Sequence, residues 1–258
     1  EHKIMAITIK SEREIELMAE AGKILERVHN ELEKALRPGM STKDIDTLGE
    51  EIIRSYGCIP SFLNYNGYPA SICVSVNQEV VHGIPDKHRI IQEGDIVSLD
   101  AGVIYKGYHS DAARTHAVGE VSEEAKKLIR VTKESFFEGI KFAKAGNHLF
   151  DISGAIGRYA EERGYGVVRD LCGHGIGTAL HEAPEIPNYE VGRKGVRLRP
   201  GMTLAIEPMI NIGTHEVDWL DDDWTVVTRD GSLSAHYENT ILITEGEPRI
   251  LSLTCENE

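Results

Sequence analysis

Cysteine is sparse in this sequence: Cys58, Cys73, Cys172 and Cys255 are the only four among 258 residues, and no two form a CxxC pair. That spacing excludes a zinc ribbon or a dithiol redox centre. With no recognisable signal peptide, it leads us to expect reduced thiols and a cytoplasmic location. Long hydrophobic runs are also missing, since none approaches the roughly 20 residues that cross a bilayer. Basic residues are outnumbered, with 28 Lys and Arg against 42 Asp and Glu and a formal charge of −14. Such a balance repels phosphate backbones and anionic lipid, so neither a nucleic acid nor a membrane is expected as partner. It suits cations and amine-bearing substrates, although most of the excess serves as solvated surface. The first residue is not methionine. Glu1-His2-Lys3-Ile4 precede Met5-Ala6-Ile7-Thr8, which reads like a native start, so residues 1–4 are expected to be an appended remnant.

What remains is ordinary for a globular protein: 41% hydrophobic and 27% charged residues. Helix signals come in pairs. Ser11 and Glu14 suggest a capping box before an apolar stripe at Leu17, Met18, Ala21, Leu25, Val28 and Leu32, stopped by Pro38-Gly39. Ser41 or Thr42 can cap a second helix with Ile45, Leu48 and Ile52 on its apolar face and Gly57 at its end. A second pair is expected from about Glu123 to Lys144 and from Asp151 to Arg163, ending at Gly164. Each pair is followed by β-rich sequence.

The two halves superpose at one shift. Gly39, Asp44, Gly57, Gly94 and Asp100 fall on Gly146, Asp151, Gly164, Gly201 and Glu207, each 107 residues later. Asp111 matches Glu238, and Gly119 matches Gly246, once about 20 extra residues enter the second half. This repetition predicts a pseudo-symmetric α/β fold: one domain of residues 5–252, with halves at about 11–119 and 122–246 and a site between them.

Acids stand in unexpected places. Val97 to Val103 reads as a buried strand carrying Asp100, and His109 to Thr115 as its return carrying Asp111. A turn centred near Tyr105-Lys106 would set the two carboxylates directly opposite one another, which repulsion and desolvation both oppose. A divalent metal between them would resolve this; so would Arg114 as counterion, or a register slip that sends one Asp to solvent. Glu207 and Glu238 repeat the pattern inside apolar strands, where glutamate is uncommon unless paired or metal-bound. Four acids and one imidazole would make an oxygen-rich site suited to Mn(II), Fe(II) or Co(II). The imidazole is best sought in Gly173-His174-Gly175-Ile176-Gly177, whose glycines let the backbone approach closely. This run is not a GxGxxG nucleotide fingerprint.

Seven runs together resemble the type I methionine aminopeptidases in order and spacing. They are Val81-His82-Gly83-Ile84-Pro85, Asp100-Ala101-Gly102, Asp111-Ala112-Ala113-Arg114-Thr115, Gly173-His174-Gly175-Ile176-Gly177, Leu180-His181-Glu182-Ala183-Pro184, Glu207-Pro208-Met209 and Glu238-Asn239-Thr240. The resemblance extends from Ile9 to Leu251. It implies a pita-bread fold, a central antiparallel sheet flanked by helices, and agrees with the internal repeat. It also implies dinuclear-metal hydrolysis that releases the N-terminal methionine of nascent chains, with preference for a small second residue. Asp100, Asp111, His174, Glu207 and Glu238 would hold two divalent ions (Co, Mn or Fe), with Asp111 and Glu238 shared between them.

By the same resemblance Glu207 would shuttle a proton, and His82 and His181 would assist at the scissile amide. For the other eight histidines, His29, His88 and His215 among them, a satisfied structural role is expected. Arg114 would orient the acidic cluster from behind. The methionine pocket would be built from Phe62, Tyr65, Tyr68, Cys73 and Trp224, with His82 and His181 at its edge; a thioether packs well against ring edges. Two departures stand out: Leu180 where many relatives carry phenylalanine, and Phe62 where some carry cysteine. Without the long insertion of type II relatives, the chain reads as a bacterial-style monomer, working near the ribosome. An aminopeptidase P or prolidase activity on the same fold, or a non-catalytic binding module, is the alternative.

Overall fold

The computed structural model describes residues 6–254; the expectations for residues 1–5 and for Cys255 lie outside them. Four helices form where the capping signals place them. Helix α1 spans Glu12–Ala35 and α2 spans Thr42–Ser55; α3 spans Glu123–Ile140 and α4 spans Leu149–Glu161. At α1 the Glu14 amide donates to Ser11 Oγ (3.3 Å) and the Ser11 amide to Glu14 Oε2 (2.7 Å), a reciprocal box that satisfies two orphan donors. Ser41, not Thr42, caps α2 in the same way with Asp44. Helix α3 stops at Ile140, short of Lys144, because the chain turns there and tucks Ala143 into the core. Helix α4 begins at Leu149, two residues earlier than the pattern suggested, with the His148 amide donating to Asp151 Oδ2 at 2.8 Å.

Each helix pair covers one antiparallel sheet. Strands Ile59–Pro60, Ile72–Val76, Ile96–Tyr105 and Tyr108–Ala117 make the first. Gly173–Gly175, Glu182–Ile186, Thr203–Ile206, Asn239–Leu242 and Arg249–Ile250 make the second. Under α1 and α2 the core contains Leu25, Val28 and Ile53 packed with Val74, Leu99 and Val103. Under α3 and α4 it contains Phe136, Ile152 and Ile156 packed with Leu204, Ile206 and Ile241. The sheets meet where Ala113 and Glu238 exchange amide hydrogen bonds, 3.2 and 3.0 Å.

The duplication is written in the hydrogen bonds. The Gly39 amide donates to Ile91 O (2.8 Å), and the Gly146 amide to Leu198 O (3.0 Å). Gly39 and Gly146 share φ of 93° and 91°, and Gly94 and Gly201 share 92° and 90°. The return strands, however, correct the expected alignment. The Asp111 amide donates to Thr240 Oγ1 while the His236 amide donates to Thr115 Oγ1, both at 2.9 Å. These contacts interchange under a two-fold rotation that pairs Asp111 with His236, Ala113 with Glu238 and Thr115 with Thr240. The return-strand shift is therefore 125 residues, not the 127 that matches Asp111 to Glu238. A two-residue error keeps every side chain on its face of the strand, so side-chain pattern could not reveal it. Gly246 likewise lacks the positive φ that Gly119 adopts (63°).

The Asp100–Asp111 hairpin is corrected too. Tyr105 pairs with Tyr108, and Lys106 and Gly107 form the two-residue turn with φ of 47° and 87°. Positive φ at both positions is the type I′ geometry that fits strand twist. The register then sets Asp111 opposite Gly102 and Asp100 opposite Ala113. The two aspartates are diagonal neighbours on one face rather than directly opposed.

Candidate metal centre

The strand pleat sends Asp100 and Asp111 inward from the first sheet, and Glu207 and Glu238 reach the same space from the second. Asp100, Asp111 and Glu238 are buried, and Glu207 is nearly so. His174 stands among them, its Nε2 at 3.4 Å from Glu207 Oε1, 3.5 Å from Asp111 Oδ2 and 4.0 Å from Glu238 Oε1. Its Nδ1 lies 2.8 Å from Gly175 O. A carbonyl only accepts, so Nδ1 carries the proton and the Nε2 lone pair faces the acids, as in a metal ligand. The flanking glycines are required by packing. A Cβ on Gly173 would lie 2.3 Å from Ala205 O, and one on Gly175 2.1 Å from Ala183 O.

Electrostatics leave the cluster short of positive charge. Burial raises Asp100, Glu207 and Glu238 well above the carboxylate range, each pushed further by Asp111. Burial raises Asp111 to about 7, against the hydrogen bond from Asp100. Burial also lowers the His174 imidazole to about 4. Asp100 Oδ1, Asp111 Oδ1 and both Glu238 carboxyl oxygens are buried without a hydrogen-bond partner. Arg114 is not their counterion. Its guanidinium donates to the carbonyls of Ala113, Glu238 and Ser252 and to Asn239 Oδ1, and stacks 4.7 Å over the Tyr237 ring. It holds the backbone of Glu238 and leaves the carboxylates unpaired. Converging unpaired oxygens plus one aimed imidazole lone pair are a donor set that divalent cations fit.

The cluster floors a cavity of about 320 Å³. Phe62, Tyr65, Tyr68, Cys73, His82, His181 and Trp224 all line it, together with Asp100, Asp111, His174 and Glu207. Leu180 lines it as well. Tyr68 is anchored by its hydroxyl, 3.1 Å from both Ile72 O and Gly83 O, and its ring meets Trp224 edge-on at 5.1 Å. Phe62 reaches the wall because Gly102 gives way: a Cβ there would stand 3.0 Å from its ring. His82 adopts left-handed backbone (φ 59°), and burial lowers its imidazole to about 4. His181 is exposed at the mouth, with Nδ1 at 2.7 Å from Tyr65 Oη and its ring 4.2 Å from that of His174.

Several lining residues had no assigned role. Asn66, Asp170, Leu171 and Cys172 lie outside the motifs, whereas Val81 and Met209 belong to motif runs but were not singled out. Leu171 and Cys172 directly precede the Gly173 run, so adjacency to a motif was the available signal. His236, expected to have a structural role, places Nε2 3.3 Å from Glu207 Oε2.

A duplicated antiparallel fold with carboxylates and one imidazole converging between its halves defines a metallohydrolase of the two-fold α/β type. The sequence profile of Metallopeptidase family M24 matches residues 16–245, and the chain belongs to that family. Within it, the chain is 58% identical to a methionine aminopeptidase from Clostridium acetobutylicum, over 97% of this chain and 100% of the relative. It superposes on the crystal structure of a methionine aminopeptidase from Thermotoga maritima with a TM-score of 0.94 and 48% identity, covering 96% of this chain and 100% of that one. An Xaa-Pro dipeptidase from Bacillus anthracis is more distant: TM-score 0.76, 28% identity, 95% of this chain but 62% of that one.

Proposed function

We propose that this chain is a methionine aminopeptidase that hydrolyses the first peptide bond of nascent proteins and peptides, releasing the initiator methionine. One observation carries the reading: an apolar, aromatic-walled cavity of about 320 Å³ opens directly onto Asp100, Asp111, Glu207 and the aimed His174 imidazole. Relatives of that name match over nearly their whole length, which supports it.

In this reading Asp100, Asp111, His174, Glu207 and Glu238 would hold two divalent ions. Such ions supply Lewis acidity and water activation. The chain's own residues do the rest. Phe62, Tyr65, Tyr68, Cys73 and Trp224 enclose the methionine side chain, and the thioether packs against their ring edges. A substrate's free α-amine would add a nitrogen donor to the metal site, which would restrict action to chain ends. Glu207 takes a proton from the attacking water and delivers it to the departing amine. His82 and His181 stay neutral and place N–H donors at the scissile amide.

The reading also includes one catalytic domain at 5–252, a monomer in the cytoplasm near the ribosome, and Mn, Fe or Co as the metal. Among the described residues, no helix is long and apolar enough to cross a membrane, and Cys58, Cys73 and Cys172 are free thiols. The test uses chelator-stripped enzyme with Mn(II), Fe(II) or Co(II) added back. Metal-dependent methionine release from Met-Ala-Ser, with little from Met-Leu-Ser and no cleavage of Ala-Pro, is expected. Cleavage of Ala-Pro alone would assign an Xaa-Pro peptidase instead, and no release with any metal would overturn the reading.

A further inference from the structure

We infer that His236 is a positioning residue for Glu207, donating its Nε2–H to the Glu207 carboxylate from the second half of the duplicated fold. The inference deepens the aminopeptidase reading and rests on the role given there to Glu207.

The two-fold relation first shows where this side chain must point. His236 is the counterpart of Asp111: each donates its amide to a threonine hydroxyl of the other half and accepts from the same hydroxyl through its carbonyl. Its backbone is thereby locked, and its side chain faces the shared centre, as that of Asp111 does. The ring is 1% exposed, and its Nε2, a buried nitrogen without an aligned hydrogen-bond partner, lies 3.3 Å from Glu207 Oε2, the nearest acceptor a small ring rotation would reach. It also joins Glu207 and Glu238 in a group whose donor atoms all lie within 4.8 Å of one another.

Glu207 discriminates between positioning and metal ligation. Its Oε1 faces the Nε2 lone pair of His174 at 3.4 Å, and its Oε2 faces His236. An oxygen facing a lone pair is repelled unless a cation lies between, whereas an oxygen facing an N–H is held. With His174 fixed as the lone-pair partner by its bond to Gly175 O, a second lone pair at His236 would leave Glu207 without any donor. An Nε2–H at His236 secures one oxygen and leaves the other free for the site. Outer partners of this kind fix the carboxylate's orientation.

His236→Gln keeps an N–H at similar reach, and His236→Met keeps volume without a donor. For His236→Met we expect kcat on Met-Ala-Ser to fall about 10- to 100-fold with KM within about twofold. Co(II) affinity, read by calorimetry, should weaken in the same variant. His236→Gln should restore both to within about threefold. Wild-type kcat and affinity in His236→Met would overturn the inference, as would a His236→Gln variant as defective as His236→Met. A mutation-free readout covers the case in which His236→Met fails to fold. In ¹⁵N-histidine-labelled, Zn(II)-loaded wild-type protein, His236 should show a proton on Nε2 that exchanges slowly. A deprotonated Nε2 whose shift moves on metal addition would make it a ligand and overturn the assignment. If wild type releases no methionine, the aminopeptidase reading fails, while the NMR result still decides the hydrogen bond.

Discussion

Asp111 shares a buried space with Asp100, Glu207 and Glu238, and no lysine or arginine among the described residues lies within ion-pair distance of any of the four. Four such acids repel unless protonated or metal-bound. Asp111→Ala is therefore expected to leave a folded protein with depleted metal and an activity loss above the roughly 100-fold of an outer partner. Metal analysis, circular dichroism and peptide assay check it together; full activity would remove Asp111 from the ligand set. In the cavity wall, Trp224→Ala opens one side against the methionine chain, and an increase in KM of about 10-fold or more is expected, with a smaller change in kcat. A change confined to kcat would place Trp224 outside the binding surface.

At the level of elements, matching glycines make a quantitative test of the duplication. Gly39 and Gly146 follow equivalent helices with φ of 93° and 91°, and a Cβ at either would touch nothing within 4 Å. Only backbone strain then opposes a side chain, so Gly39→Ala and Gly146→Ala should each cost about 1–2 kcal/mol. Lying in separate halves, they should add in the double variant. Denaturant melts decide this, and unequal or strongly coupled losses would count against equivalence. The second half also carries an inserted hairpin, Val217–Trp219 and Val226–Thr228, whose latter strand pairs with Glu79–Val81 of the first half. Asp222 accepts from the Trp224 and Thr225 amides at 2.9 and 2.7 Å and so presents Trp224 to the cavity. The sequence showed the extra length but not its purpose, because pairing with Glu79–Val81 is a contact between distant segments.

For the whole molecule, the buried cluster predicts how the metal-free protein responds to pH. Asp111 is raised from 3.8 to about 7. The fold thus favours its neutral form, a contribution complete below the unfolded value and lost as pH rises through about 7. The histidines act oppositely. His82, His109 and His174 are lowered from 6.5 to about 4, and His236 to about 3, mainly by burial. Their contribution is present above the unfolded value and is lost as pH falls toward the folded one. With Asp100, Glu207 and Glu238 raised like Asp111, and His29 and His181 lowered like the other histidines, chelated protein should gain thermal stability from pH 8 to about 6.5 and lose it on further acidification. Bound divalent metal should raise the melting temperature and remove the gain below pH 8, since it holds the carboxylates ionised. Melting curves across pH 5.5–8.5 with and without metal check both, and a chelated protein that is most stable at pH 8 would contradict them.

The sequence by itself determined the helix caps, the duplicated architecture, the five converging donors and the aromatic residues of the cavity. The caps, the acids in apolar strands and the glycines at forced turns are local signals, whereas the full donor set and the aromatic residues of the cavity came from the family resemblance. The tertiary structure alone decided the diagonal placement of Asp100 and Asp111, the two-residue difference in the return-strand relation, the backbone role of Arg114 and the approach of His236 to Glu207. These follow from strand register and from contacts between the halves. Side-chain patterning repeats every two residues along a strand, so it specifies a face but leaves the register to the turn and to long-range packing.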